Sequence, residues 1–286
     1  MRYLAGKLME VTTRLRNAGI KDAGKEAEAL MCLALNINKA ALYSRDFSEI
    51  SNAAGDSAAR ELDSLTARRL ARQPLQYIAG EIEFFGLSLA VGTGVLIPRP
   101  ETELLVEILT GIVKGKHKPT INMLDLCTGS GCIALALAKQ FPASVVHAVD
   151  ISETALRYAA ANAEANNIKN VVFYAGSLYE PVQTHTFDVI VSNPPYIKTV
   201  DIAFLDPEIR LYEPVEALDG GPDGLHFYKK IIAGANSYLS AGGIMALELG
   251  DTLAARVMEI AREAGYSKLT LKSDYSSTER FLIING

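Results

Sequence analysis

The feature that most constrains the fold is a regular alternation of short apolar runs and longer helix-like segments after residue 120. Runs such as INMLDL, SVVHAVD and FDVIVS alternate with segments such as GCIALALAKQ and SETALRYAAANAEAN. This alternation predicts a parallel sheet with helices on both faces. The last two runs, SKLTLKS and RFLIIN, have no helix between them, so we expect them to pair antiparallel.

The first 80 residues show a different pattern, because apolar residues recur at spacings of three and four. One such stripe extends from Ala23 to Ala34, and its period predicts an amphipathic helix. The apolar runs on either side of Gly86 predict two short strands of a hairpin. We therefore expect a helical domain for substrate recognition over residues 1–80, a hairpin linker over 81–100 and an α/β domain over 101–286.

Composition disfavours several classes of protein. The 286 residues carry a net charge of −5, which argues against nucleic-acid binding driven mainly by counterion release. No apolar run is long enough to span a membrane. An odd number of cysteines and a charged N-terminal segment without an apolar signal core indicate a reducing cytoplasm. The cysteines and histidines lack ligand-like spacing, so we expect no metal. From the charge, the apolar runs and the cysteine count, we expect a cytoplasmic protein without membrane contact or direct nucleic-acid binding.

A glycine-rich turn, within LDLCTGSGCIALALA, joins the first strand of the α/β domain to its first helix. Gly129 and Gly131 permit positive φ and a close approach of a ligand, and the helix N-terminus offers N–H groups to an anionic group. Asp150 ends the next strand, where its carboxylate can accept both hydroxyls of a ribose. These features predict a nucleoside pocket at the carboxyl ends of the strands.

The same turn is compatible with two other interpretations. Gly129, Gly131 and Ala134 also satisfy the dinucleotide fingerprint, and Asp150 lies at the distance that this fingerprint requires. The glycine turn is therefore also compatible with a nicotinamide or flavin site, and with a turn whose only function is close packing of helix and strand.

The segment SNPPYI ends the fourth strand and therefore faces the same crevice. Proline lacks a backbone N–H and fixes φ, so the strand stops and the turn is rigid. The side-chain carbonyl of Asn193 and the main-chain carbonyl of Pro194 can accept both hydrogens of a planar NH2 group, and the Tyr196 ring can lie against its plane. Such acceptors favour the charge that develops as the nitrogen attacks. The plainer interpretation is a strand terminator with a packed tyrosine.

Together, the glycine turn, Asp150 and SNPPYI resemble class I S-adenosylmethionine-dependent methyltransferases that act on a planar nitrogen. The segments QYIAGEIEFFG, VLIPRPETE, YEPVEAL and GGPDGL extend a resemblance to the release factor glutamine methyltransferase family, the PrmC/HemK type, over nearly the whole chain. The resemblance implies a Rossmann-like, seven-stranded methyltransferase domain preceded by a small all-helical domain and a β-hairpin linker. It also implies methyl transfer from S-adenosylmethionine to the glutamine side-chain nitrogen in the Gly-Gly-Gln motif of peptide chain release factors.

The resemblance implies roles for individual residues. Asn193, Pro194 and Tyr196 are the expected catalytic residues, and together with Pro195 they are expected to bind the glutamine. The expected cofactor-binding residues are Cys127, Thr128, Gly129, Ser130, Gly131, Asp150, Ile151, Ser177, Leu178 and Asn193.

Two departures from the family pattern bear on cofactor affinity. Cys127 stands where the family usually has glycine, and Ser177 stands where an acidic residue often contacts the adenine amine. Arg99 and Glu101, in PRPETE, suit either a role near the active site or the first turn of a helix. The segments 212–214 and 220–221 are expected to build a loop over the crevice.

Other functions remain open. A ribosomal-protein glutamine methyltransferase would use the same turn. An amino-methyltransferase acting on adenine or cytosine of DNA or RNA would grip a flipped base with it, although the chain lacks a stripe of Lys and Arg with aromatic residues. A non-catalytic protein-binding module with a degenerate cofactor fold is a further alternative, disfavoured by the intact glycine turn, Asp150 and Asn193.

Overall fold

The N-terminal helices form a compact unit of their own. The computed structural model describes residues 2–43, 47–115 and 118–286, with side chains except at 2–5 and 47–55. The chain divides into two units, Met1–Gly80 with Pro207–Tyr212, and Glu81–Asp206 with Glu213–Gly286. Residues 1 and 44–46 of the predicted helical domain lie outside the described residues.

The first unit buries one apolar core between helices. Its helices are α1 (Arg2–Asn17), α2 (Ala23–Leu35), α3 (Lys39–Leu42), α4 (Phe47–Leu70) and α5 (Leu75–Ala79). Leu15, Leu30 and Leu62 are among the residues that fill the core. The sequence predicts a helix from residue 57 to 73, whereas α4 begins earlier and ends at Leu70. It ends there because Arg72 takes a positive φ of 70° and a proline follows at position 74, which disfavours helix before it.

A β-hairpin begins the second unit. Its strands are β1 (Glu81–Phe84) and β2 (Leu87–Ala90), with Phe84 opposite Leu87. Phe85 was expected in the first strand but lies in the turn, where it and Gly86 both take positive φ, as a type I′ hairpin turn requires. Phe84, Leu87 and Leu89 are buried in an apolar core of this unit.

The predicted alternation produces a seven-stranded sheet. Along the chain, its elements are α6 (Pro100–Lys114), β3 (Asn122–Leu126), α7 (Cys132–Gln140), β4 (Val145–Asp150), α8 (Glu153–Ala165), β5 (Val171–Ala175), β6 (Phe187–Ser192), α9 (Pro207–Tyr212, in the first unit), α10 (His226–Tyr238), β7 (Leu239–Glu248), α11 (Ala254–Glu263), β8 (Lys268–Ser273) and β9 (Glu279–Asn285). The strand order is β5-β4-β3-β6-β7-β9-β8.

The pairing within this sheet agrees with the prediction. β3 to β7 pair in parallel, while β9 pairs antiparallel with both β7 and β8. One core contains residues of α6, α7 and the hairpin, and a second contains residues of α10 and α11, so each sheet face is covered by helices. The order reverses between β3 and β6, and ligands of such sheets bind in the crevice at this reversal.

Candidate active site

A cavity of about 760 Å³ opens at the carboxyl ends of the parallel strands, within the usual size of small-molecule sites. Its wall contains most of the predicted site residues. These are Cys127, Thr128, Gly129, Ser130, Asp150, Ile151, Ser177, Leu178, Asn193 and Pro195. Gly131, Pro194 and Tyr196 belong to the same turns but are not part of this wall.

In the glycine turn after β3, every second residue from 127 to 131 takes a positive φ. Cys127, Gly129 and Gly131 take φ of 60°, 58° and 82°. A Cβ added to Gly129 would meet no atom of the described residues within 4 Å, whereas one added to Gly131 would lie 3.1 Å from the Cβ of Ala159 on α8. Gly129 therefore presents bare backbone to open space, and Gly131 serves the close approach of two helices.

Cys127 takes a left-handed φ at a free-energy cost that glycine would not incur. The departure from the family pattern at this position therefore adds backbone strain. Burial raises the pKa of the Cys127 thiol, and the nearby Asp150 and Asp125 carboxylates raise it further. The side chain therefore stays protonated and behaves as a small packed group.

Asp125 was not among the predicted site residues, and it connects the glycine turn to α7. Its Oδ2 accepts hydrogen bonds from Thr128 Oγ1 at 2.6 Å and from the Ala134 N–H at 3.1 Å. Burial raises the pKa of Asp125 to about 7. The available sequence signal was an aspartate within the apolar run INMLDL, because a carboxylate is seldom buried without partners.

Asp150 lies at the end of β4, beside the glycine turn. Its Oδ2 accepts from the Gly129 N–H at 2.8 Å and its Oδ1 from the Ser152 N–H at 2.9 Å. Burial raises the pKa of Asp150, while these backbone hydrogen bonds oppose the rise. Each carboxylate oxygen has a further lone pair, so the group can still accept hydrogen bonds from a ligand.

The SNPPYI turn follows β6 and places its asparagine and its tyrosine in the walls of two different cavities. Asn193 is half-buried in the first cavity, and its Nδ2 donates to Thr102 Oγ1 at 3.3 Å. Tyr196 lies in the wall of a second cavity of about 520 Å³, with Arg99, Glu101 and Glu248 among its neighbours. Burial raises the pKa of Tyr196 to about 12, so its phenol is neutral at physiological pH.

The segment from Glu213 to Gly224 clasps this turn through main-chain hydrogen bonds. The Ile197 N–H donates to Leu218 O at 2.9 Å, and the Gly220 N–H donates to Ile197 O at 2.7 Å. An added Cβ at Gly220 would lie 2.6 Å from Tyr196 Cα, and one at Gly224 would lie 2.5 Å from Tyr196 O. Close backbone approach therefore explains Gly220 and Gly224 of GGPDGL, whereas Gly221 takes a positive φ of 87°. Of the residues expected to form a loop over the crevice, Pro214 lines the first cavity, as do the neighbouring residues 215–217, whereas 212, 213, 220 and 221 are not part of its wall.

The PRPETE segment lies both at the start of α6 and beside the two cavities. Arg99 is the N-cap of α6 and Glu101 lies in its first turn. Arg99 also lines both cavities and donates from Nη2 to Glu213 Oε1 at 2.7 Å. Glu213 is buried, and its other oxygen accepts from the Ile97 N–H at 3.3 Å, so this ion pair fixes the start of the clasping segment.

The described residues contain neither a candidate metal site nor a helix that could span a membrane. Within residues 2–43, 47–115 and 118–286, no group of three or more His, Cys, Asp or Glu side chains could hold a metal ion. Over the same ranges, no helix is both long and apolar enough to cross a membrane.

Comparison with known proteins decides the family. The PrmC N-terminal domain model matches residues 7–80, and the Methyltransferase small domain model matches residues 100–205. The release factor glutamine methyltransferase of Thermodesulfovibrio yellowstonii is 44% identical over 260 residues, which cover 91% of each chain. The protein of that name from Geobacter sulfurreducens is 42% identical over 266 residues, which cover 93% of this chain and 90% of that protein. The chain belongs to the release factor glutamine methyltransferase family.

A solved structure supports the fold of this family member. The crystal structure of a methyltransferase from Pyrococcus furiosus superposes with a TM-score of 0.53 at 25% identity, over 80% of this chain and 98% of that one. The predicted family and fold class are confirmed. The predicted enzyme class, an S-adenosylmethionine-dependent glutamine methyltransferase, is confirmed as well, so the nicotinamide or flavin interpretation of the glycine turn is wrong.

Proposed function

We propose that this enzyme transfers a methyl group from S-adenosylmethionine to the side-chain amide nitrogen of the glutamine in the Gly-Gly-Gln motif of peptide chain release factors. The observation that carries the proposal is the position of Asn193, which lies in the wall of the cavity that also contains Gly129 and Asp150. Because its Nδ2 donates to Thr102, its carbonyl oxygen is turned away from Thr102 and can accept from a substrate NH2.

The residues of the first cavity fit S-adenosylmethionine. The bare backbone at Gly129 leaves room for the methionine part along residues 127–131, and the Asp150 carboxylate can accept from ribose hydroxyls. Ile151, Ser177 and Leu178 line the remaining wall and would contact the nucleoside. When bound, the cofactor supplies a methyl group activated by a sulfonium centre.

The protein's own contribution is to hold and polarise a poor nucleophile. An amide nitrogen has a delocalised lone pair, so two acceptors, the Asn193 side-chain oxygen and the Pro194 main-chain oxygen, would stabilise the positive charge that develops on it. The rigid proline turn would also fix its direction of attack, and effective molarities allow up to about 7–11 kcal/mol for ideal positioning. Pro195 would support this turn.

Tyr196 would pack against the plane of the glutamine amide. Since this ring lies in the second cavity and Asn193 in the first, we infer that the glutamine enters from the side of the second cavity. The neutral Tyr196 phenol is not a base at physiological pH, and the nitrogen can lose its proton after the methyl transfer.

The partners follow from this assignment. Release factors would be the protein substrates, and the helical domain, residues 1–80, would recognise them beyond the glutamine. The cytoplasmic location is part of the proposal, because release factors act on ribosomes there. The proposal includes no direct contact with nucleic acid or membrane.

Methyl transfer to purified substrates tests the function. With labelled S-adenosylmethionine, we expect label on a release factor and none on a variant that lacks the motif glutamine. Label on a ribosomal protein, tRNA or DNA but not on the release factor would refute the proposed substrate.

An Asn193→Ala variant tests the role of the turn in the same assay. We expect cofactor binding within about tenfold of wild type but turnover lowered by ~10²-fold or more, the effect of losing one oriented transition-state group. Isothermal titration with S-adenosylhomocysteine measures the binding. Equal losses in binding and turnover would show that Asn193 mainly holds the cofactor.

A further inference from the structure

A buried chain of hydrogen bonds connects Asn193 to two residues that were not predicted as site residues, Thr102 and Glu248. Thr102, in the first turn of α6, and Glu248, at the end of β7, are each about 1% exposed. Thr102 Oγ1 donates to Glu248 Oε2 at 2.8 Å and accepts from Asn193 Nδ2 at 3.3 Å. Three elements that are distant in sequence thus meet at one hydroxyl group.

The directions of these hydrogen bonds follow from the chemistry of the groups. An ionised carboxylate only accepts hydrogen bonds, and a hydroxyl has a single proton to donate. While Glu248 is ionised, Thr102 must donate to it and can then only accept from its second neighbour. The side of the Asn193 amide that faces Thr102 is therefore the NH2 group, and the carbonyl oxygen must point elsewhere.

We propose that Thr102 and Glu248 are positioning residues that fix the orientation of the Asn193 amide, so that its oxygen rather than its NH2 group faces the substrate nitrogen. This inference rests on the proposed function. An Asn193 side chain rotated by 180° would present two donors to a substrate NH2, which is itself a donor, and the required acceptor would be lost.

The ionisation of Glu248 controls this arrangement. Burial raises the pKa of Glu248 to about 7, while the Thr102 hydrogen bond and the charges of Arg280 and Arg99 lower it and Glu101 raises it. When Glu248 binds a proton, its hydroxyl can donate to Thr102, and Thr102 can then donate to the Asn193 oxygen. Turnover should therefore rise with pH through about 7. Among the described residues, Tyr196, Tyr228 and Cys132 also interact electrostatically with Glu248. Asp251 lines the second cavity together with Glu248.

Substitutions of Thr102 separate positioning from packing. Thr102→Val keeps the side-chain shape but removes the hydroxyl, and we expect kcat to fall by ~10- to 10²-fold with a smaller change in the KM for the release factor. Thr102→Ser keeps the hydroxyl and should restore kcat to within about threefold of wild type. The matched control is Thr110→Val, because Thr110 is a buried threonine of the same helix whose hydroxyl has no hydrogen-bond partner among the described residues; it should leave kcat unchanged.

Two further measurements do not depend on the Thr102→Val variant's activity. In Glu248→Gln, the rise of kcat with pH through about 7 should disappear. In NMR spectra of the 15N-labelled enzyme, the Asn193 side-chain NH2 protons should exchange with solvent faster in Thr102→Val than in wild type or in Thr110→Val.

The outcomes separate failure of this inference from failure of the proposed function. If wild type labels no release factor, the proposed substrate is wrong, and the NMR comparison still tests the hydrogen-bond chain. If wild type is active but Thr102→Val retains full kcat and unchanged NH2 exchange, the positioning role is refuted. Equal loss in Thr102→Ser and Thr102→Val would refute it too, since the hydroxyl would not be the group that matters.

Discussion

The Gly220→Ala substitution tests whether the position of the SNPPYI turn limits turnover. An added Cβ would lie 2.6 Å from Tyr196 Cα, 2.8 Å from Tyr196 C and 2.9 Å from Pro195 O. All three are main-chain atoms, so a change of side-chain rotamer cannot relieve the contact. Gly220 does not take a positive φ, so alanine adds this contact without adding backbone strain.

The size of the effect follows from the contact distance. Carbon atoms rest at about 3.5 Å or more, so the turn and the clasping segment must separate by roughly 0.9 Å. Overpacking of this kind costs about 1–3 kcal/mol of stability. A displacement near 1 Å at a catalytic group can lower the rate by about 10²-fold, so we expect kcat to fall by about that factor.

Three assays check this prediction. Label transfer to the release factor measures kcat, thermal unfolding measures stability, and titration with S-adenosylhomocysteine should show binding within about tenfold of wild type. Gly111→Ala is the matched control. This glycine lies in α6, and beyond the backbone of its own helix no described atom lies within 4 Å of an added Cβ, so activity should not change. Wild-type kcat in Gly220→Ala would refute the argument that the close approach holds the turn in place.

The remaining predictions concern the two aspartates beside the glycine turn. Asp150→Ala should weaken S-adenosylhomocysteine binding by at least about tenfold, because hydrogen bonds to a charged group contribute about 1.5–3 kcal/mol each; unchanged affinity by calorimetry would refute the ribose assignment. Asp125 has a folded-state pKa of about 7 against an ordinary 3.8, so its contribution to stability is present below pH 4 and is lost as the pH rises to about 7. Urea unfolding at several pH values should therefore show wild type losing stability relative to Asp125→Asn across this window, by an amount on the order of 4 kcal/mol. A difference independent of pH would show that Asp125 is not the responsible group.

Local pattern accounts for much of the architecture. The alternation of apolar runs and helical segments gave the parallel strands, and the missing helix between the last two runs gave the antiparallel pair. The errors lay at element ends. The helix α4 begins at Phe47 rather than near residue 57, and at Phe85 and the end of α4 positive φ values rather than hydrophobic period set the boundary. Glycines, prolines and strand-ending carboxylates also indicated the edge of the sheet at which the cavity lies.

Periodicity and turn residues report local conformation, so the amino-acid sequence was enough to predict the elements, the crevice and most of the residues in the cavity wall. The groups that support the SNPPYI turn come from distant parts of the chain and were identified from the three-dimensional fold. Thr102 and Glu248 are 146 residues apart in the chain, and Gly220 meets Tyr196 through packing of two loops. A hydrogen-bond partner depends on where separate elements meet in space, and a residue's neighbours in sequence carry no information about that meeting point.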